Sequence, residues 1–281
     1  MSPKMDKKEF DELALARGIS DPDYYGAILS ITDQVTLIKE TDPIIVGVSG
    51  APGSGKSTLA AMLVNVLQQV GGFRTAVLAL DDFYRTREER ERMAIDIHPL
   101  FAVRGVPGTH DMALLNRVIE SIRAGEVTMH PVFNKAEDDR DEEWRTVEPL
   151  DVLVLEGWCL GAIPQAESSL AIPVNELEET RDPDGRWRRR VNTELASADY
   201  QWASNCDINT FLAVPDMDSV FRWRLQQEQS LSPGARVMNE AGVREFIMYY
   251  ERITRAMLKD LPGRVEITLF LDKAHCLIGH H

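Results

Sequence analysis

The stretch that most limits what this chain can fold into is Gly50-Ala51-Pro52-Gly53-Ser54-Gly55-Lys56-Ser57. It fits G-x-x-x-x-G-K-[ST], a phosphate-binding loop. Its context is the one the motif needs. Residues 43–48 before it are apolar and β-branched and read as a buried strand. Residues 58–67 after it, opening on Thr58 and Leu59, read as a helix. Glycines let the backbone curl with its N–H groups turned inward, and the helix dipole adds positive potential at the same point. Lys56 is placed to reach outer phosphates, and the Ser57 hydroxyl to ligate Mg²⁺. Gly50, Ala51, Pro52, Gly53, Ser54, Gly55, Lys56, Ser57 and Thr58 are therefore the expected nucleotide contacts.

Four more apolar segments repeat the strand signal, at residues 75–80, 151–155, 208–214 and 265–271. Helical stretches separate them, at 58–70, 111–124, 187–204, 216–230 and 239–260. Strands alternating with helices imply right-handed βαβ units and a parallel sheet, with ligands at the carboxyl ends of the strands. Residues 1–41 are expected as an N-terminal helical extension and 42–281 as the main domain. Asp21 and Pro22 suit the N-cap and first position of a helix, followed at helical spacing by Tyr24, Ala27, Ile28, Ile31, Val35, Leu37 and Ile38. Residues 133–148 read as a long charged loop.

The net charge of −14 makes nucleic acid and anionic membranes poor partners. Residues 180–190 are a basic run within this acidic chain, either a solvated helix face or a phosphate or partner contact. The three cysteines, Cys159, Cys206 and Cys276, form no Cys-x-x-Cys pair and read as reduced cytoplasmic thiols. No apolar run approaches membrane-spanning length, and the charged first residues lack a secretory apolar core. No role is read for His280 and His281.

Phosphoryl transfer needs a nucleotide cradle, a metal, a group that orients or deprotonates the nucleophile, and cations around the transferred group. Asp81 ends the second strand, where it can accept a proton from a substrate hydroxyl or simply cap a loop. Asp82 should point elsewhere if the chain is still extended. Glu156 ends the strand 151–155, where a carboxylate holds the Mg²⁺ shell or stands as a surface charge. Arg104 to Asp111 contains Arg104, His110 and Asp111, groups fit to bind a polyhydroxy or carboxylate substrate. Equally, Thr109 or Asp111 could serve only as an N-cap and His110 be exposed. Lys135 and Arg140 are further candidate acceptor contacts. Arg222 and Arg224 follow the fourth strand and read either as lid arginines for the phosphates or as helix-surface charge.

Taken in order, residues 50–57, Leu80-Asp81-Asp82-Phe83-Tyr84, Arg104-Gly105 with His110-Asp111, and Pro131-Val132-Phe133-Asn134-Lys135 resemble the phosphoribulokinase/uridine kinase/pantothenate kinase superfamily. Val154-Leu155-Glu156-Gly157-Trp158-Cys159-Leu160-Gly161, Phe221-Arg222-Trp223-Arg224-Leu225-Gln226-Gln227-Glu228 and Tyr249-Tyr250-Glu251-Arg252-Ile253-Thr254 are similar, more narrowly, to D-glycerate 3-kinases. The resemblance spans residues 43–273. It implies a three-layer α/β P-loop NTPase fold with a central five-stranded parallel sheet, the P-loop strand in the middle, plus N-terminal helices and a lid. It implies ATP with Mg²⁺ as donor, a small-molecule hydroxyl as acceptor, Asp81 as base, Glu156 beside the metal and Arg224 as a catalytic cation. Glycerate kinases of this type often carry Pro-Gln inside the loop. Ala51-Pro52 here is closer to other superfamily members and leaves the acceptor open among D-glycerate, pantothenate and a nucleoside. An acceptor-independent switch NTPase is the alternative of another class. A guanine-specific Asn-Lys-x-Asp is absent, which argues against a GTPase. Few aromatic residues flank the Arg104–Asp111 segment in sequence, which argues against a nucleobase.

Overall fold

The computed structural model describes residues 5–16, 21, 23–230 and 237–280. Helices α1 (Lys7–Leu15) and α2 (Asp23–Ile38) lead into strand β1 (Ile44–Gly50) and helix α3 (Lys56–Gly71). Strand β2 (Thr75–Ala79) follows, then α4 (Arg87–Asp96) and α5 (Met112–Arg123). Short strands β3 (Thr128–His130), β4 (Phe133–Asn134), β5 (Asp139–Arg140) and β6 (Arg145–Val147) precede β7 (Val152–Gly157). Helices α6 (Glu167–Leu170), α7 (Glu176–Arg181), α8 (Arg186–Leu195) and α9 (Ala198–Ala203) lead to β8 (Ile208–Ala213). Helices α10 (Met217–Gln229) and α11 (Glu240–Asp260) and strands β9 (Ile267–Leu271) and β10 (Leu277–His280) close the described chain.

The main sheet runs β10-β9-β8-β1-β7-β2. Its five expected strands are parallel, and β1 is the middle one, pairing Ile45 with Leu153 and Val46 with Ile208. The sheet has six strands rather than five, because β10 returns antiparallel beside β9. The turn 272–276 makes that hairpin, with Asp272 accepting the Ala274 and Cys276 N–H groups.

Period-two alternation splits the core into layers. On β1 and β7, Ile44, Val46, Val152 and Val154 pack with α3 residues such as Leu59 and Leu63. Ile45, Leu153 and Leu155 pack on the other face with Leu115 and Ile119 of α5 and Trp187 of α8. Tyr24, Ala27, Ile28, Ile31 and Val35 of α2 are buried in the α3 layer, whereas Leu37 and Ile38 are exposed. Asp21 accepts the Asp23 N–H at 2.9 Å and also the Leu277 N–H, tying α2 to β10. Pro22 and His281 lie outside the described residues.

Three sequence readings need correction. The helix expected at 187–204 is two, α8 and α9, because Ser197 ends one segment and caps the next at the Tyr200 N–H. The charged loop 133–148 is folded: β4 pairs with β5 and β6 with β3. Helix α4 went unread because it has no apolar stripe, although its capping box, Thr86 with Glu89, is a local signal. The basic run is taken up by internal pairs: Arg181 with Glu245, Arg188 with buried Asp182, Arg189 with Glu167, and Arg190 with Glu194.

Candidate active site

The loop after β1 is shaped by two glycines in the left-handed region, Gly53 at φ 78° and Gly55 at φ 91°. A Cβ on Gly53 would stand 3.2 Å from the Arg224 backbone nitrogen, so a side chain there would crowd α10 as well as strain the left-handed backbone. Gly55 is the N-cap of α3, and no side chain caps that helix end. Its first N–H groups are left for an anion. His275, from the β9–β10 turn, reaches the Ser54 carbonyl at 3.0 Å and stacks on Trp223 with ring centres 4.0 Å apart.

The carboxyl ends of β1, β2 and β7 bring the expected chemistry together. Ser57 Oγ donates to Glu156 Oε1 at 2.8 Å. Burial raises the Glu156 carboxyl above the ordinary glutamate range, with Lys56 pulling against the rise. After β2 the chain tightens into a 3₁₀ turn, Leu80–Phe83. Asp82 then points away from the cleft although the chain is not extended, accepting the Phe133 N–H at 3.2 Å. Asp81 accepts from the Tyr84 hydroxyl at 3.0 Å and from Lys135 Nζ at 2.7 Å. Burial by itself would raise the Asp81 carboxyl, but Lys135 and Lys56 outweigh it and hold it well below the usual carboxylate range.

Lys56, Ser57, Asp81 and Lys135 border an open cleft of about 800 Å³, with Glu156 buried behind Ser57. Pro52, Gly53, Gly55, Lys56, Ser57 and Thr58 line it, with Asp81, Arg104, Lys135 and Arg224 from the expected set. Arg224 pairs with Glu228, donates to Gln227 Oε1 at 2.8 Å and lies over the Phe246 ring. Arg222 turns instead to the Ser219 hydroxyl at 2.8 Å.

Three expected substrate contacts stand behind the cleft wall. Asp111 caps α5 at the Leu114 N–H and pairs with Arg140 at 3.3 Å. Arg140 also donates to the Tyr84 carbonyl at 2.7 Å, so both residues hold the segment 83–85 in place. His110 is neither exposed nor on the cleft: it is 1% exposed, stacked on Tyr84, with Nδ1 2.7 Å from the Tyr200 hydroxyl. Burial lowers its pKa to about 3, which keeps the ring neutral. The sequence reading also missed the aromatic wall of Tyr84, Trp158 and Tyr250, whose members lie far apart in the chain. Trp158 and Tyr250 pack edge to face, and both are nearly fully buried. The Gly105 turn beside them, at φ 141°, would place a Cβ 2.3 Å from the Tyr250 hydroxyl, so Gly105 marks the wall locally.

A P-loop cradle, a serine–glutamate pair and a carboxylate between cations, on a mostly parallel sheet, define a P-loop kinase. Residues 45–163 match the model of the phosphoribulokinase/uridine kinase family. The chain is 32% identical over 260 residues to an uncharacterized kinase, mug58, of Schizosaccharomyces pombe, covering 85% of this chain and 87% of that one. It is 28% identical to the chloroplastic D-glycerate 3-kinase of Arabidopsis thaliana, covering 85% of this chain and 54% of that enzyme. The solved structure of D-glycerate 3-kinase from Cryptococcus neoformans var. grubii superposes with a TM-score of 0.71 at 26% identity, covering 91% of this chain and 96% of that one. The chain belongs to the phosphoribulokinase/uridine kinase family, as a glycerate 3-kinase-like member. It is an ATP-dependent phosphotransferase acting on an alcohol. Among the described residues no helix is long and apolar enough to cross a membrane.

Proposed function

We propose that this kinase transfers the γ-phosphoryl group of ATP to D-glycerate, giving 3-phosphoglycerate. The observation that carries the reading is the acceptor end of the cleft. There Asp81 stands between Lys135 and the nucleotide loop, with Arg104 alongside, which suits a small alcohol bearing a carboxylate. The residues present fit ATP with Mg²⁺. The uncapped start of α3 and the glycine turns offer N–H groups to phosphate, and Lys56 has no ion-pair partner among the described residues. Ser57 and Glu156 would hold the metal. No three His, Cys, Asp or Glu side chains converge among the described residues, which suits a cation that takes water and phosphate oxygens for its other ligands. Bound there, the metal would supply neutralisation of phosphate charge.

In this reading Asp81 orients the acceptor hydroxyl and receives its proton, Lys56 and Arg224 face the phosphates, and Arg104 and Lys135 hold the acceptor carboxylate. Helix α10 acts as the lid element that carries Arg224. We read residues 1–41 as an extension, of which the described helix α2 packs on α3, and 42–281 as the kinase domain. The three cysteines lie outside any disulfide, consistent with work in the cytoplasm. The test is ATP turnover across D-glycerate, other small hydroxy acids, pantothenate and nucleosides. D-Glycerate should give the highest kcat/KM, and turnover without acceptor should be slow because closure excludes water. A fast ATPase that no hydroxyl compound stimulates would overturn the reading.

A further inference from the structure

Four cationic side chains line the cleft, and their partners differ. Lys56, at the nucleotide loop, has no carboxylate partner among the described residues. At the acceptor end both cations are already neutralised, Lys135 by Asp81 and Arg104 by Asp138. Asp138 sits at the tip of the β4–β5 hairpin in the left-handed region, at φ 55°. It is held there by Arg90, whose side chain is fully buried. The Arg90 guanidinium donates to the Asp138 carbonyl at 2.6 Å and lies 3.1 Å from Asp138 Oδ2. It also donates to the carbonyls of Arg85 and Ala102, two residues before Arg104. One buried arginine thus fixes the hairpin tip against the segment that carries Arg104. Asp138 Oδ1 takes the Arg104 guanidinium, which lies over the Phe133 ring at 5.2 Å. The pair is 26% and 35% exposed and faces the cleft, so a ligand can reach it.

We propose that Asp138 is a specificity-determining residue: its carboxylate occupies on Arg104 the place that an acceptor's carboxylate takes. Acceptor binding is then an exchange of one carboxylate for another, and this rests on the reading of the acceptor as a carboxylate-bearing alcohol. A neutral alcohol leaves the resident pair intact and gains nothing from Arg104. A ligand with several negative charges meets Asp138 and Asp81 at once and is repelled. The resident carboxylates therefore favour a small monocarboxylate over both, at a cost in raw affinity for it.

Calorimetric titration of D-glycerate and of glycerol tests this on the unaltered protein, Asp138→Asn, Arg104→Ala and the double variant. Asparagine tolerates the left-handed backbone and leaves Arg90 its three carbonyl partners. Asp138→Asn should bind D-glycerate about fivefold more tightly, the scale of one exposed ion pair. Glycerol binding should not change, and the gain should vanish when Arg104 is also replaced. If Asp138→Asn melts early, because buried Arg90 loses its carboxylate, the titrations are run well below its melting transition, where it is as folded as the unaltered protein. Unchanged or weaker D-glycerate binding in the folded variant would overturn the proposal. So would a gain that persists without Arg104. Should the unaltered protein neither bind nor phosphorylate D-glycerate, the glycerate reading alone falls. The same titrations with glycolate, lactate and pantothenate then decide: a gain for the acid the enzyme uses keeps the exchange, and no gain for any of them overturns it.

Discussion

Lys56 lines the cleft without a close ion pair among the described residues, although its charge is felt by Asp81 and Glu156. Lys56→Ala should therefore abolish turnover while circular dichroism stays native; near-native turnover would refute the loop's role. Asp81 is different, because Lys135 and Lys56 keep it ionised far into acid. It is a weak base while Lys135 holds it, so in the proposed reaction Lys135 has to leave it for the acceptor carboxylate before it takes the proton. Asp81→Asn should lower kcat by about 10²–10⁴-fold with little change in ATP affinity. A raised acceptor KM with intact kcat would make Asp81 a binding residue only. Glu156 is shifted the other way by burial, so as pH falls it protonates before Asp81. In the metal-free protein the acid limb of the carboxyl titration followed by NMR should lie above the ordinary glutamate range and should disappear in Glu156→Gln. A limb unmoved by that change would assign it to another group.

At the level of elements, the hairpin β4–β5 and the helix α10 both border one cleft. The hairpin supplies Lys135 and Asp138 and steadies Arg104; α10 supplies Trp223 and Arg224. Their arginines should separate kinetically. A group that binds the acceptor equally in ground and transition states changes KM, and one that follows the moving charge changes kcat. Arg104→Ala should raise the acceptor KM about tenfold or more and spare kcat, because it loses a hydrogen bond to a charged group. Arg224→Ala should lower kcat by about 10²–10³-fold. Steady-state kinetics with both substrates varied separates the two patterns, and identical effects would merge the two elements into one functional unit.

For the whole molecule, buried histidines contribute a loss of stability in acid, against which the burial-raised carboxyls of Asp82 and Glu156 act. Burial lowers the pKa of His110 to about 3 and depresses those of His98 and His130 in the same direction. An unfolded histidine takes up its proton near about 6.5. The unfolded state thus binds more protons between the two values. The contribution of the neutral His110 ring is full above about pH 6.5 and is lost as the pH drops toward about 3, at up to about 1.4 kcal/mol per pH unit. Urea unfolding at stepped pH should show this decline, and His110→Gln should make it shallower if the variant folds. A pH dependence of stability that His110→Gln leaves unchanged would contradict the buried neutral ring. The fall is a property of packing, since His110 sits among Tyr84, Tyr200 and the α5 start rather than in solvent.

The P-loop, the alternation of strands and helices and the placing of Asp81 just beyond β2 and of Glu156 near the end of β7 were legible in the chain itself, although the strand expected to run to Asp81 stops at Ala79 and gives way to a 3₁₀ turn. Each is a local property: a contiguous motif, a period of two or 3.6, or a residue directly after an apolar run. The sixth strand, the split of residues 187–204 and the hairpins within 133–148 were not, because short segments carry too few residues to show a period. The tertiary structure alone decided which charges are free and which are spoken for. Ser57 and Glu156 are 99 positions apart, Lys135 and Asp81 54, and Arg104 and Asp138 34. Nothing in the order of residues says that His110 is buried, that Asp111 and Arg140 hold each other, or that Lys56 has no close ion pair among the described residues. Burial and ion pairing depend on what a remote segment places against a side chain, and only the packed fold brings those segments together.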